Sequence, residues 1–67
     1  MMWAKRMEYE EATSLYRRKL TDADALFRIA PPLPSAALSY QDDETWYLRD
    51  VEGRLIARVT RSGVRLP

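Results

Sequence analysis

Cysteine and histidine are both absent from this chain. Disulfide bonds are therefore excluded, and so is zinc coordination by the ligands that structural zinc sites use. The same absences remove the usual general base and the strongest side-chain nucleophile, so we do not expect an enzyme. Because the first residues also lack the apolar run of a signal segment, a cytoplasmic location is predicted.

Glycine is almost as scarce, with Gly53 and Gly63 as its two occurrences. Both are needed for predicted turns, which leaves none for a glycine-rich phosphate loop. The acidic residues Asp42, Asp43 and Glu44 lack the alternating ligand spacing of a calcium loop and suit a solvated turn. No cofactor, metal ion or catalytic residue is therefore predicted. The lack of an apolar run of roughly 20 residues also predicts that the chain has no membrane partner.

The length of the chain predicts one small domain that spans residues 1–67. Chains of this length bury only a small core, and they commonly gain the missing stability from disulfides, metals or association with another chain. Since disulfides and zinc are excluded, we expect association, either with a partner or between copies of this chain.

The first half of the chain has a helical pattern over residues 4–29. From Tyr9 onward, the apolar side chains recur with helical spacing and form one stripe. Thr21, which is followed by acidic residues, resembles a helix start, so we predict two helices at 4–20 and 22–29. One continuous helix is the alternative. Pro31, Pro32 and Pro34 then predict an extended connection over residues 30–35.

Residues 37–66 have the composition of β-structure. Strands are predicted at 45–50, 54–60 and 64–66, with a short additional strand at 38–40 and a polar turn at 41–44. Ser62 and Gly63 mark the last turn. The expected fold class is α+β, with one or two N-terminal helices packed on a small three- to four-stranded antiparallel meander.

The hairpin around Gly53 is compatible with two registers. If Glu52 and Gly53 form a two-residue loop, Trp46 pairs with Val59. If residues 50–53 form a type I turn with Gly53 in the left-handed conformation, Trp46 instead lies opposite Arg58. Because glutamate is a poor residue for positive φ, turn chemistry favours the second register.

Charge is distributed unevenly along the chain. The net charge is +1, but residues 22–44 carry five acids against one base, and residues 45–67 carry five arginines against two acids. Arg54 and Arg58 share strand parity, which predicts that they project from one face of the sheet, with Tyr47 beside them. Arginine mixed with aromatic residues occurs both at protein interfaces and on binders of single-stranded nucleic acid.

Trp3 and Met7 form a second apolar patch, which lies outside the main helical stripe. Partner binding and completion of the core are both compatible with that position. The predicted function is a small non-enzymatic domain that binds a macromolecule, in the first place another protein, through Trp3, Met7, Tyr47, Arg54 and Arg58. A nucleic-acid-binding module that uses the sheet arginines is the first alternative, and a structural homo-oligomer is the second.

Overall fold

The computed structural model describes residues 6–23 and 32–67 of the chain. One helix and four strands lie in these two segments: α1 (Tyr9–Ala23), β1 (Tyr40–Asp42), β2 (Thr45–Arg49), β3 (Leu55–Thr60) and β4 (Gly63–Arg65). The strands form one antiparallel sheet in the order β1-β2-β3-β4. The predicted α+β class, with a helix N-terminal to a meander sheet, is confirmed.

α1 begins at Tyr9, later than the predicted start at residue 4. Met7, two positions before the helix, takes part in tertiary contacts instead. Its carbonyl accepts a hydrogen bond of 2.8 Å from Trp46 Nε1, and the Met7 side chain lies in the core. The first helical bond joins the Ala12 amide to the Glu8 carbonyl at 3.0 Å. Packing of the N-terminal segment against the sheet thus overrides its helical pattern.

α1 has no break at Thr21, where a second helix is predicted to begin. The Thr21 hydroxyl donates to the Arg17 carbonyl, one turn earlier, at 3.0 Å. That bond is typical of a threonine inside a helix, not of an N-cap. The helix continues to Ala23, the last residue described before the gap. The predicted break is therefore wrong, and most of the predicted segment 22–29 lies outside the described residues.

The core lies between α1 and one face of the sheet. Its buried apolar members are Met7, Ala12, Tyr16, Leu48, Ala57 and Val59. Successive side chains of a strand alternate between the two faces, so one face of β2 and β3 supplies Leu48, its partner Ala57, and Val59. The predicted apolar stripe of α1 supplies the opposite side of the core.

The β2–β3 hairpin combines the turn of one predicted register with the strand pairing of the other. A 2.9 Å bond from the Gly53 amide to the Asp50 carbonyl closes the turn, and Gly53 has a φ of +83°. The prediction of a left-handed glycine is therefore confirmed. Ile56 then has no partner on β2, and this bulge shifts the pairing so that Trp46 lies opposite Val59. The favoured register is right for the turn and wrong for the strands.

The connection from helix to sheet is held by two tyrosines of α1. The Tyr9 hydroxyl donates to the Pro34 carbonyl at 3.0 Å, and the Tyr16 hydroxyl donates to the Pro32 carbonyl at 3.4 Å. Burial raises the pKa of both phenols above the ordinary tyrosine value. Residues 36–38 form a turn, so the first strand begins at Tyr40 and not at residue 38.

Candidate functional site

The face of the sheet opposite α1, called the open face below, carries one aligned row of side chains. The cross-strand pairs are Tyr40 with Tyr47, Tyr47 with Arg58, and Arg58 with Arg65. Residues directly opposite each other on antiparallel strands project to the same side. Arg58 lies between two buried core residues of β3, so the row projects away from the helix. These four residues, one from each strand, form the Tyr–Arg row.

The aromatic end of the row is a stacked pair. The ring centroids of Tyr40 and Tyr47 are 4.9 Å apart, and the ring planes are inclined by 18°. The guanidinium carbon of Arg49 lies 5.9 Å from the Tyr40 centroid, within the range of a cation–π contact. Tyr40 is nevertheless 48% exposed. One face of each ring is therefore covered by the other tyrosine, while much of the pair stays accessible.

The arginine end of the row is a pair of like charges. Arg58 and Arg65 occupy directly opposite positions on β3 and β4, and both are exposed. Among the residues that the structure describes, no carboxylate lies within salt-bridge distance of either guanidinium. Like charges that face each other across a sheet are destabilising. By register the two arginines thus lie opposite each other with no acidic partner in the described segments, an arrangement that we expect to be slightly unfavourable.

A shallow hollow of about 440 Å³ opens beside the two arginines. Its polar lining consists of Thr45, Tyr47, Arg58, Thr60, Ser62 and Arg65. The Thr60 and Ser62 hydroxyls bond to each other at 2.9 Å, and Thr60 also donates to the Gly63 carbonyl at 3.3 Å. No acidic residue of the described segments belongs to this lining. The hollow is therefore rich in donors and positively charged.

A second hollow, of about 310 Å³, lies where the first and last hairpin turns approach the N-terminal segment. Two arginines and two carboxylates line it, together with four uncharged residues; the full lining is Arg6, Met7, Gln41, Asp43, Glu44, Thr60, Arg61 and Ser62. The buried Nε2 of Gln41 has no hydrogen-bond partner within the described part of the chain. Because the charges of its described lining residues balance, these residues favour neither an anion nor a cation.

Of the five predicted partner-binding residues, two come together in the row: Tyr47 and Arg58 are direct cross-strand partners. Met7 is only 3% exposed and is a member of the core, so it offers no surface to a partner. For this residue the structure favours completion of the core. Trp3 lies outside the described residues.

The fifth predicted residue, Arg54, belongs to the hairpin turn and not to the row. Its Nε lies 3.1 Å from Asp50 Oδ2, and its Nη2 lies 3.1 Å from Glu52 Oε2. The bulge at Ile56 interrupts the alternation between Arg54 and Arg58, so the parity that predicts a shared face does not hold.

Asp50 organises this turn from a nearly buried position. Its Oδ1 accepts hydrogen bonds of 2.9 Å from the backbone amides of Glu52 and Arg54. The Arg54 amide is the main group that holds the pKa of the Asp50 carboxyl below its ordinary value; burial opposes this effect, and the Glu52 amide and Arg54 guanidinium reinforce it. This carboxylate therefore has a structural role in the turn.

Tyr40 and Arg65 are the members of the row that sequence reasoning missed. Their positions depend on the pairing of β1 with β2 and of β3 with β4. Tight turns set both registers: Asp42 pairs with Thr45, and Thr60 with Gly63. In the sequence, the short polar turns between β1 and β2 and between β3 and β4 were the signal from which these registers could have been predicted.

No protein-family model, curated protein or solved structure matches this chain. Within residues 6–23 and 32–67, no three or more His, Cys, Asp or Glu side chains are grouped so that they could hold a metal ion. In the same two segments, no helix has the length and apolar content needed to cross a membrane. An inference about function therefore rests on the Tyr–Arg row and the hollow beside it.

Proposed function

We propose that this chain is a small non-enzymatic binding domain that docks an acidic surface of a partner protein on the open face of its sheet. The observation that carries this proposal is the Tyr–Arg row, in which each of the four strands contributes one residue. Tyrosine and arginine are enriched at interface hot spots because they combine a large contact area with hydrogen-bond donors. Their alignment on the open face supports a docking role.

The charge of the open face indicates the chemistry of the partner. Arg49, Arg58 and Arg65 belong to this face by strand register, against one acid, Asp42, on the β1 edge. An excess of guanidinium groups complements carboxylates, which arginine can bind through two parallel hydrogen bonds. Complementary charge also raises the association rate and fixes the orientation of a complex. The expected partner therefore presents acidic side chains to the row.

The stacking of Tyr40 on Tyr47 favours a protein over a single-stranded nucleic acid. Nucleic-acid binders of this kind stack bases on free aromatic faces. Here each tyrosine covers one face of the other, and Arg49 contacts the ring of Tyr40. Ring edges and hydroxyl groups suit the polar and apolar mixture of a protein surface. The alternative occupants of the open face are nucleic acid and a second copy of this chain.

The docking surface is tested by photo-crosslinking in the source cells. An aromatic photoreactive amino acid replaces Tyr47 in one variant and Arg18, on the exposed surface of α1, in the matched control. We expect position 47 to capture a cytoplasmic protein that position 18 does not capture. Nucleic acid captured at position 47, with an affinity that falls steeply with salt, would favour the first alternative. A second copy of this chain would favour the homo-oligomer.

Affinity for the captured protein then decides whether the row makes the contact. Arg58→Glu is compared with Arg18→Glu, which changes the net charge by the same amount at another exposed position. We expect Arg58→Glu to weaken binding by about 30-fold, the equivalent of a hot-spot loss of roughly 2 kcal/mol. Arg18→Glu should leave the affinity nearly unchanged. Equal losses in the two variants would mean that the open face is not the docking surface.

A further inference from the structure

The hollow beside Arg58 and Arg65 has more positive charge than a carboxylate can neutralise. Its lining includes two arginines, and no acidic residue of the described segments belongs to it. A carboxylate brings one negative charge, whereas a phosphate monoester brings about −1.5 to −2 at neutral pH. We propose that this hollow binds the phosphoryl group of a phosphorylated side chain on the partner protein. This inference rests on the proposed docking of a protein on the open face.

The donors of the hollow match the acceptors of a phosphoryl group. Each guanidinium carries several N–H donors in a planar fork, which suits two oxygens of one phosphate. Tyr47 and Thr45, which each carry a hydroxyl group, belong to the same lining. Thr60 and Ser62 are occupied with each other and with the Gly63 carbonyl, so their role is to fix the β3–β4 turn that carries Arg65. We therefore expect β2, β3 and β4 each to contribute a residue to binding of the phosphoryl group.

Binding of a dianion would also remove an unfavourable interaction of the free chain. Arg58 and Arg65 lie directly opposite each other without a carboxylate in the described segments to separate their charges. A phosphoryl group placed between them converts a repulsion into two attractions. Since a ligand that binds only the folded state stabilises it, phosphate should raise the urea midpoint of the wild type by more than it raises that of Arg65→Gln.

The site is tested with inorganic phosphate on the full chain labelled with ¹⁵N. Amide shifts are followed at pH 7.5 during titration with phosphate and, at equal ionic strength, with acetate. We expect saturable shifts at residues 45–47 and 58–65 with phosphate and none with acetate. Arg58→Gln and Arg65→Gln should each weaken phosphate binding by about tenfold or more, whereas Arg18→Gln should not. All three positions are exposed, so the variants should fold.

Two results would overturn the phosphoryl site: shifts that do not saturate, or equal effects of phosphate and acetate. A third is a loss of phosphate binding in the Arg18→Gln control as large as the loss in Arg58→Gln and Arg65→Gln. The two proposals can be told apart, because Arg58→Glu would still release the crosslinked partner if the docking surface is right and only the phosphoryl assignment is wrong. Phosphatase treatment of the partner then tests whether the phosphoryl group belongs to a phosphorylated side chain of that protein. It should reduce affinity for the wild type by tenfold or more and have little effect on Arg65→Gln. A single-stranded oligonucleotide that binds more tightly than the phosphorylated partner would overturn the assignment to a protein.

Discussion

Leu48→Ala should be among the most destabilising single substitutions in this chain. Leu48 is 0% exposed and lies in β2, one of the two inner strands of the sheet, opposite Ala57. It faces the helix side of the core, where Ala12 and Tyr16 are also buried. The small partner Ala57 cannot expand to fill the space, so truncation leaves a cavity between sheet and helix.

The expected loss is a large share of the total stability. Leucine-to-alanine changes in cores cost about 2–5 kcal/mol, the lost transfer energy plus a term for the residual cavity. At roughly 0.05–0.15 kcal/mol per residue, a chain of 67 residues is stabilised by about 3–10 kcal/mol. Because Leu48 is fully buried between two elements, we expect a loss near the middle of the truncation range, about 3 kcal/mol.

The matched control is Leu33→Ala, the same chemical change at a side chain that is 65% exposed. Urea unfolding followed by far-ultraviolet circular dichroism measures both variants. Leu33→Ala should change the free energy of unfolding by less than about 0.5 kcal/mol. Equal losses in the two variants would refute the placement of the core between α1 and the Leu48 face. A Leu48→Ala chain that is unfolded without urea would agree with it.

Three further substitutions test local features of the fold. Trp46→Phe removes the 2.8 Å bond to the Met7 carbonyl and should lower the free energy of unfolding by about 1 kcal/mol in urea titrations. Asp50→Asn should lower the urea midpoint at pH 7. The pKa of Asp50 is lowered in the folded chain, so its carboxylate stabilises the fold at pH values above the unfolded-state pKa. This stabilisation is lost as the pH falls through the folded-state pKa. The difference in stability between wild type and Asp50→Asn should therefore shrink below about pH 4. Gly53→Ala should destabilise by about 1 kcal/mol because its φ is +83°, whereas Gly63→Ala, with equal free space and an ordinary φ, should be nearly neutral.

Each of these expectations has a clear contrary result. An unchanged midpoint for Trp46→Phe would show that the N-terminal segment gains nothing from its bond to the sheet. A difference between wild type and Asp50→Asn that persists at acid pH would mean that the carboxylate charge is not what stabilises the turn. Equal effects of alanine at Gly53 and Gly63 would contradict the left-handed turn conformation.

The fold class could be predicted from the sequence because local pattern and tertiary structure agree over most of the chain. Period-3.6 spacing from Tyr9 predicts a helix, and strand-like runs with turn residues between them predict an antiparallel sheet. One failure occurs where tertiary contacts override the local pattern. The helical pattern includes Met7, but the structure buries its side chain and bonds its carbonyl to Trp46. Such a contact joins residues 39 positions apart in the sequence and leaves no local signal.

The candidate site was predictable only in part, because it depends on register. Tyr47 and Arg58 were both recognised, but turn chemistry favoured the register in which Arg58 lies opposite Trp46, and the bulge at Ile56 places Arg58 opposite Tyr47 instead. One unpaired residue changes the cross-strand partner of every later residue in the pairing. In this hairpin no glycine or proline lies at the bulge to indicate it in the sequence. Tyr40 and Arg65 join the row through two further registers. A surface assembled from four strands therefore needs three correct pairings before it can be recognised.

Charge placement in the sheet leads to a final prediction that separates stability from binding. A face that served only solubility would gain from opposite charges at paired positions, yet Arg58 lies opposite Arg65. Arg65→Glu should therefore stabilise the chain by about 0.5 kcal/mol through an exposed cross-strand ion pair, while it abolishes phosphate binding. Arg18→Glu, which makes the same charge change on α1, should give neither effect. A gain in stability together with a loss of binding is the expected mark of a residue retained for function at the expense of the fold. If Arg65→Glu is no more stable than wild type, the arginine pair does not strain the sheet, and relief of repulsion contributes nothing to phosphate binding.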